Sequence, residues 1–265
     1  MNLDGKVAIV TGGATGIGGA VTKLLAAQGV SVWVVSHVSE SEMQPFCDTI
    51  CASGGKAIAA QCDVSDRSAV LALVDRVRRE SGHLHVLANC AGVIHRTPAF
   101  DMDFSHVERI FAVNTLGAIS MIEACLSLMK ESGGGSIINI ASSAAILGVE
   151  TTSVYSASKA ALVHFTRTLA PELRRTGIKI NSIAPGSVRT PMLGFVDGAT
   201  LTPEQEASAA KRASVSASPY GDGMMEPEDI AQAVLFLASD ASRAFHGACL
   251  VADQGITGAM LPAGG

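Results

Sequence analysis

The stretch Val7-Ala8-Ile9-Val10-Thr11-Gly12-Gly13-Ala14-Thr15-Gly16-Ile17-Gly18 decides the fold. It joins a short β-branched run to a glycine turn, and the turn opens into a helical pattern from Ile17 to Gln28. Glycines let a ligand come close to the backbone, while the N–H groups and dipole of a helix N-terminus favour an anion. Gly12, Thr15, Gly16, Ile17 and Gly18 are therefore candidates to hold the pyrophosphate of a dinucleotide.

Working outward, six more short runs alternate with helical stretches: Val30 to Val35, Ala57 to Cys62, Val86 to Asn89, Ser136 to Ala141, Lys179 to Ala184 and Cys249 to Ala252. This rhythm predicts an α/β chain of one domain, residues 1–265, with a Rossmann-type doubly wound sheet of about seven parallel strands and helices on both faces. Asp66 can cap a helix running through Arg79, and Glu226-Pro227-Glu228-Asp229 can open another that runs through Ala238. The rhythm breaks over residues 191–223, where Gly, Pro, Ser and Thr surround a short polar helical stretch, Pro203 to Arg212. That length suits a substrate lid.

An acid at the end of the second strand would bind a ribose 2′-hydroxyl and repel a 2′-phosphate. Ser36 and His37 stand there instead, with Ser39 close behind, so the reading leans slightly toward NADP(H) over NAD(H).

Charged residues make up 16% of the 265 and apolar residues 48%, enough to build a core. The net charge of −5 and the lack of any long basic block exclude a nucleic-acid footprint. Asp4 and Lys6 precede the first apolar run, and the expectation is a cytoplasmic protein without a membrane span. Six cysteines lack CxxC spacing and seven histidines lack HExxH spacing, so reduced thiols and no metal are expected.

A second motif, Tyr155-Ser156-Ala157-Ser158-Lys159, carries the chemistry. Tyr155 and Lys159 are i,i+4 on a helix whose apolar stripe continues through Leu162, Phe165, Leu169 and Leu173, so both polar heads leave one face. An ammonium beside a phenol stabilises the phenolate, so Lys159 is expected to lower the Tyr155 pKa and make it a general acid or base. Hydride leaving a carbinol carbon needs such a base for the hydroxyl proton.

With these motifs in place the chain resembles the classical short-chain dehydrogenase/reductase family from residue 3 to about 255. The matching elements are Thr11 to Gly18, Cys62 to Val64, Asn89 to Gly92, Val113-Asn114, Ile140 to Ser143, Tyr155 to Lys159 and Pro185 to Met192. The resemblance implies that Ser142 hydrogen-bonds the substrate oxygen, that Lys159 grips the nicotinamide ribose, and that Asn114 holds a water in a proton relay. It further implies that Asp63 and Val64 meet the adenine, Asn89 and Gly92 the central cofactor wall, and Pro185, Gly186, Val188 and Thr190 the nicotinamide end. Family members are commonly homotetramers, which is the assembly expected here.

Three departures stand out. Cys90 replaces an asparagine, Gln254 interrupts an Asp-Gly-Gly turn, and a tail at 256–265 carrying Met260, Leu261 and Pro262 exceeds the usual ending. Pro171 falls inside the Tyr155 helix, where a kink near Arg167 is expected. The implied function is an NAD(P)-dependent oxidoreductase that interconverts a secondary alcohol and its ketone. Ile94, His95, Ala144, Val149, Met192, Phe195 and Val196 are expected to wall a mostly aliphatic substrate pocket suited to an alicyclic molecule. A 3-oxoacyl-carrier-protein reductase and a catalytically silent nucleotide-binding protein are the alternatives. Enoyl reductases of the family space their Tyr and Lys more widely, and halide-eliminating relatives lack a working glycine loop.

Overall fold

The computed structural model describes residues 3–194 and 224–258. Seven parallel strands form one sheet in the order β3-β2-β1-β4-β5-β6-β7. They are β1 (Val7–Thr11), β2 (Ser31–Ser36), β3 (Lys56–Gln61), β4 (Val86–Asn89), β5 (Gly135–Ile140), β6 (Ile178–Pro185) and β7 (Cys249–Ala252). The expected strands agree with these to within one residue at each end. The order reverses between β1 and β4, and a ligand crevice belongs outside the carboxyl ends of strands at such a switch point.

Alternation along β1 explains the two layers of helices. Ala8 and Val10 face one core with Val21 and Leu25 of α1 (Gly16–Ala27), Met43 and Ile50 of α2 (Glu40–Ala52) and Ile230 and Val234 of α7 (Pro227–Ala238). Val7 and Ile9 face the other core with Val70 and Leu73 of α3 (Arg67–Ser81), Met121 and Leu128 of α5 (Ala118–Glu131) and Ala170 and Leu173 of α6 (Ser153–Leu173). Successive side chains point to opposite faces, and both faces are covered, so β1 reads as a continuous apolar run.

Helix ends follow their sequence signals. Asp66 Oδ1 accepts from the N–H groups of Ser68 (2.8 Å) and Ala69 (3.3 Å) to start α3, and Gly82 at φ +71° ends it. Glu226 and Asp229 close a capping box over α7. Helix α6 extends through Pro171 to Leu173 as a single element.

One element escaped the sequence reading. Helix α4 (Phe104–Phe111), a π turn (Ala112–Gly117) and α5 join into a continuous helix, Phe104–Glu131, whose length and composition would suffice for a bilayer span. Half of its apolar window is buried in this fold, with Met121, Ile122, Cys125, Leu128 and Met129 packed into the second core. Of the expected lid, residues 191–194 are described, with a short 3-10 turn at Pro191–Leu193. The stretch from Pro203 to Arg212 lies outside the described residues, as do Phe195, Val196 and the tail beyond Gly258.

Candidate active site

The carboxyl ends of the strands open into one cavity of about 1770 Å³. Its floor begins at the switch point, where Thr11 Oγ1 accepts from the N–H groups of Cys90 and Ala91, each at 3.1 Å. Gly12 holds φ +62° against this junction, and a Cβ on it would sit 3.1 Å from Ala91 Cα. A Cβ on Gly18 would overlap the Gly12 carbonyl, so the loop closes this tightly only with glycine at both positions.

Helix α1 begins immediately after the loop, and its N-cap Thr15 makes no side-chain cap. Among the described residues no side chain accepts from the first-turn N–H groups of Gly16, Ile17 and Gly18, and these residues line the cavity with Gly12 and Thr15. Donors, dipole and glycine cradle fit a dinucleotide pyrophosphate.

Along the same wall the structure brings together Ser36, His37, Asp63, Val64, Gly92, Pro185, Gly186, Val188 and Thr190. The Asp63 carboxylate is already engaged: Ser65 donates to Oδ1 from N–H (2.9 Å) and hydroxyl (2.6 Å), and Arg109 donates to Oδ2 (3.1 Å). Burial alone would raise its pKa, but these donors outweigh burial and hold it below the usual carboxylate range. Beyond His37, the Ser39 hydroxyl belongs to a capping box. It donates to Glu42 Oε2 at 2.6 Å, and the Ser39 N–H donates to the same oxygen at 3.0 Å.

The proton-transfer group stands on α6 and the end of β5. Tyr155 and Lys159 are 8% and 3% exposed, and both line the cavity with Ser142. Lys159 Nζ donates to the Ile140 carbonyl at 2.8 Å, and burial drives its pKa down to about 8. The expectation that Lys159 lowers the Tyr155 pKa is corrected here. Burial pushes the phenol up, opposed by a hydrogen bond with Ser142, so Tyr155 is held in its protonated form.

Three expected contacts lie elsewhere. Asn89 does not line the cavity; it is buried beneath it and donates to Asn139 Oδ1 (2.9 Å), while Asn139 donates to Thr166 Oγ1 of α6 (2.9 Å). This buried chain ties the helix carrying Tyr155 to β4 and β5. Asn114, 1% exposed in the π turn, also stays off the cavity wall, and its carboxamide accepts from Val93 N–H (2.8 Å) and donates to Val93 O (2.9 Å) and Ser158 Oγ (3.1 Å). Those bonds clamp the β4 exit against α6. His95 turns aside and stacks on His106 with ring centroids 4.1 Å apart.

Ile94, Ala144, Val149 and Met192 do line the cavity, while Phe195 and Val196 lie outside the described residues. Leu147, Arg109, Gln254 and Ile256 join the wall without having been singled out as site residues. Only Gln254 carried a sequence signal, its break in the Asp-Gly-Gly turn.

A family model described as enoyl-(acyl carrier protein) reductase matches residues 12–257. The cis-4-hydroxycyclohexanecarboxylate dehydrogenase of Sinomonas cyclohexanicum is 34% identical, covering 95% of this chain and 96% of its own. The 3-oxoacyl-[acyl-carrier-protein] reductase of Thermotoga maritima is 31% identical, covering 97% and 99%. Among solved structures, a 7α-hydroxysteroid dehydrogenase complexed with NADH and 7-oxoglycochenodeoxycholic acid superposes with a TM-score of 0.84 at 32% identity, covering 96% of this chain and 95% of that one.

Proposed function

Since this chain belongs to the classical short-chain dehydrogenase/reductase family of oxidoreductases, we propose that it interconverts a secondary alcohol and its ketone. The observation that carries this reading is the convergence of Ser142, Tyr155 and Lys159 on the wall of one cavity that also holds the glycine turn. A bound nicotinamide nucleotide supplies hydride exchange with the carbinol carbon. Ser142 and Tyr155 orient the substrate oxygen, and Tyr155 gives it a proton during reduction or accepts one during oxidation. Burial pushes the Tyr155 phenol above its ordinary value, so the group holds a proton to give, which suits the acid role in reduction. Alcohol oxidation is favoured as pH rises.

The aliphatic wall of Ile94, Leu147, Val149 and Met192 supports an alicyclic substrate, as do two relatives named for a cyclohexane acid and a steroid. An acidic acyl carrier would need free cations at the mouth. Among the described residues Arg109 pairs with Asp63, while Arg96 on the cavity wall donates only to the neutral Thr151 hydroxyl (2.8 Å) and keeps its charge, so a 3-oxoacyl-carrier-protein reductase stays the second reading.

For the cofactor, Ser36 and His37 underlie the sequence lean toward NADP(H), but the carboxylate of Glu42 shifts the balance. Glu42 stands in the first turn of α2 and holds the Ser39 hydroxyl, whereas Glu40 of the same turn is paired with Arg76. A 2′-phosphate of charge about −1.5 to −2 beside Ser36 and His37 would be repelled by Glu42, which follows them at the start of α2, and this repulsion favours NAD(H). Calorimetric titration should give NADH roughly tenfold tighter binding than NADPH, a difference of about 1.4 kcal/mol, and Glu42→Gln should narrow it. Tighter NADPH binding would restore the NADP(H) reading, and binding of neither nucleotide would remove the enzyme reading itself.

A further inference from the structure

We propose that Arg96 selects substrates that carry a carboxylate at the end remote from the reacting carbonyl, binding it at the rim of the cavity. The inference rests on the alcohol/ketone reading above and adds a substrate class to it. Arg96 is exposed and lines the cavity shared by Ser142 and Tyr155. Among the described residues its guanidinium donates only to the neutral Thr151 hydroxyl, from Nη1 at 2.8 Å, and makes no ion pair. The fork therefore has further N–H groups to offer, and a planar carboxylate matches them with two parallel hydrogen bonds. Arg109 on the same wall differs, because it is already bonded to Asp63 and Ser65.

Two hydrogen bonds fix where the charge stands. Thr97 N–H donates to the Thr151 carbonyl (2.8 Å) and Arg96 Nη1 to the Thr151 hydroxyl, so the segment after β4 is clipped to the loop ahead of α6. Thr151 holds φ +62°, a left-handed conformation that is an outlier for a β-branched residue. Strain of this kind persists where the surroundings over-determine it, and it gathers at ligand clamps. Here Thr97 is 2% exposed, and the Thr152 hydroxyl donates to the Val149 carbonyl (3.0 Å), which closes the loop from its other side. In this conformation one residue meets both Thr97 and Arg96, which keeps the guanidinium on the cavity wall.

Depth gives the substrate its direction. Tyr155 is 8% exposed, whereas Arg96 on the same wall is open to solvent. A ketone that presents its oxygen to Ser142 and Tyr155 and its apolar body to Ile94 and Val149, one from each clipped segment, directs its far end to the rim. Glu150 also lines the cavity, yet among the described residues it forms no ion pair with Arg96, so the fork is not capped from within the protein. Its charge weakens the preference for acids and offers a second handle on it.

The test compares kcat/KM near pH 7 for 3- and 4-oxocyclohexanecarboxylate with the matching neutral carboxamides, at saturating reduced nucleotide. Wild type should favour the acids roughly tenfold or more, mainly through KM. Arg96→Gln should abolish that ratio, Arg96→Lys should keep part of it, and Glu150→Gln should raise it. Raising the salt to about 1 M should shrink the wild-type ratio, because the guanidinium is exposed. Each ratio is taken within one preparation, so a partly unfolded variant still reports it, and calorimetric nucleotide binding gives the folded fraction. A ratio that survives in Arg96→Gln, a wild type without acid preference, or one that binds nucleotide and reduces none of the probes overturns this assignment alone. Arg96-dependent reduction of a carrier-bound ketone without acid preference also overturns it and gives the charge to the carrier. Failure to bind nucleotide overturns the reading beneath it.

Discussion

Tyr155→Phe should lower turnover roughly 10³-fold while leaving nucleotide binding and the fold intact, because general acid/base groups typically contribute between about 10² and 10⁴. The ring keeps its packing in a site where Tyr155 is only 8% exposed, so the change removes the proton carrier and little else. Steady-state kinetics should show the loss in kcat, with calorimetric nucleotide affinity within about threefold of wild type. Because burial holds the phenol protonated, wild-type alcohol oxidation should climb with pH, and the variant's residual rate should lack that climb. A Tyr155→Phe enzyme with near-normal turnover would move the proton-transfer role to another group on the cavity wall.

The limits of the sequence reading have identifiable physical causes. Strand positions were legible because seven short apolar runs sit between capped helices, and β4 and β7 match the expected Val86 to Asn89 and Cys249 to Ala252 throughout. The glycine loop was legible because Gly12 and Gly18 answer to local backbone geometry. Side chains whose direction depends on distant partners were not legible in the same way. Asn89 finds Asn139, Asn114 finds Val93 and Ser158, and His95 finds His106, all across large sequence separations. The π turn at Ala112–Gly117, which sets the position of Asn114, adds a backbone irregularity that helical periodicity does not encode. The Tyr155 pKa failed for a related reason. Spacing four apart on a helix predicts proximity to Lys159 but says nothing of burial, and burial dominates both groups.

That same burial makes Lys159→Met a second large-effect prediction, with opposite consequences for activity and stability. The ammonium is 3% exposed, and burial lowers its pKa from 10.5 to about 8. Because the folded pKa is depressed for a base, the charged form is the one the fold disfavours. Below about pH 8 the lysine is charged in both states and the full cost falls on the native state. Between 8 and 10.5 the unfolded chain binds the extra proton, so stability rises with pH; above 10.5 the cost is gone. The shift corresponds to roughly 3 kcal/mol as an upper bound, reduced by about 1 kcal/mol for the hydrogen bond lost at the Ile140 carbonyl. Lys159→Met should therefore unfold several degrees above wild type at pH 7, with the gap closing toward pH 10.5 in a series of thermal melts. Turnover should fall roughly 10²-fold or more, because the Lys159 ammonium is lost from the cavity wall it shares with Ser142 and Tyr155. A variant that melts below wild type at pH 7, or a gap that stays constant with pH, would mean that the Lys159 amine stabilises this fold, contrary to the argument from its burial.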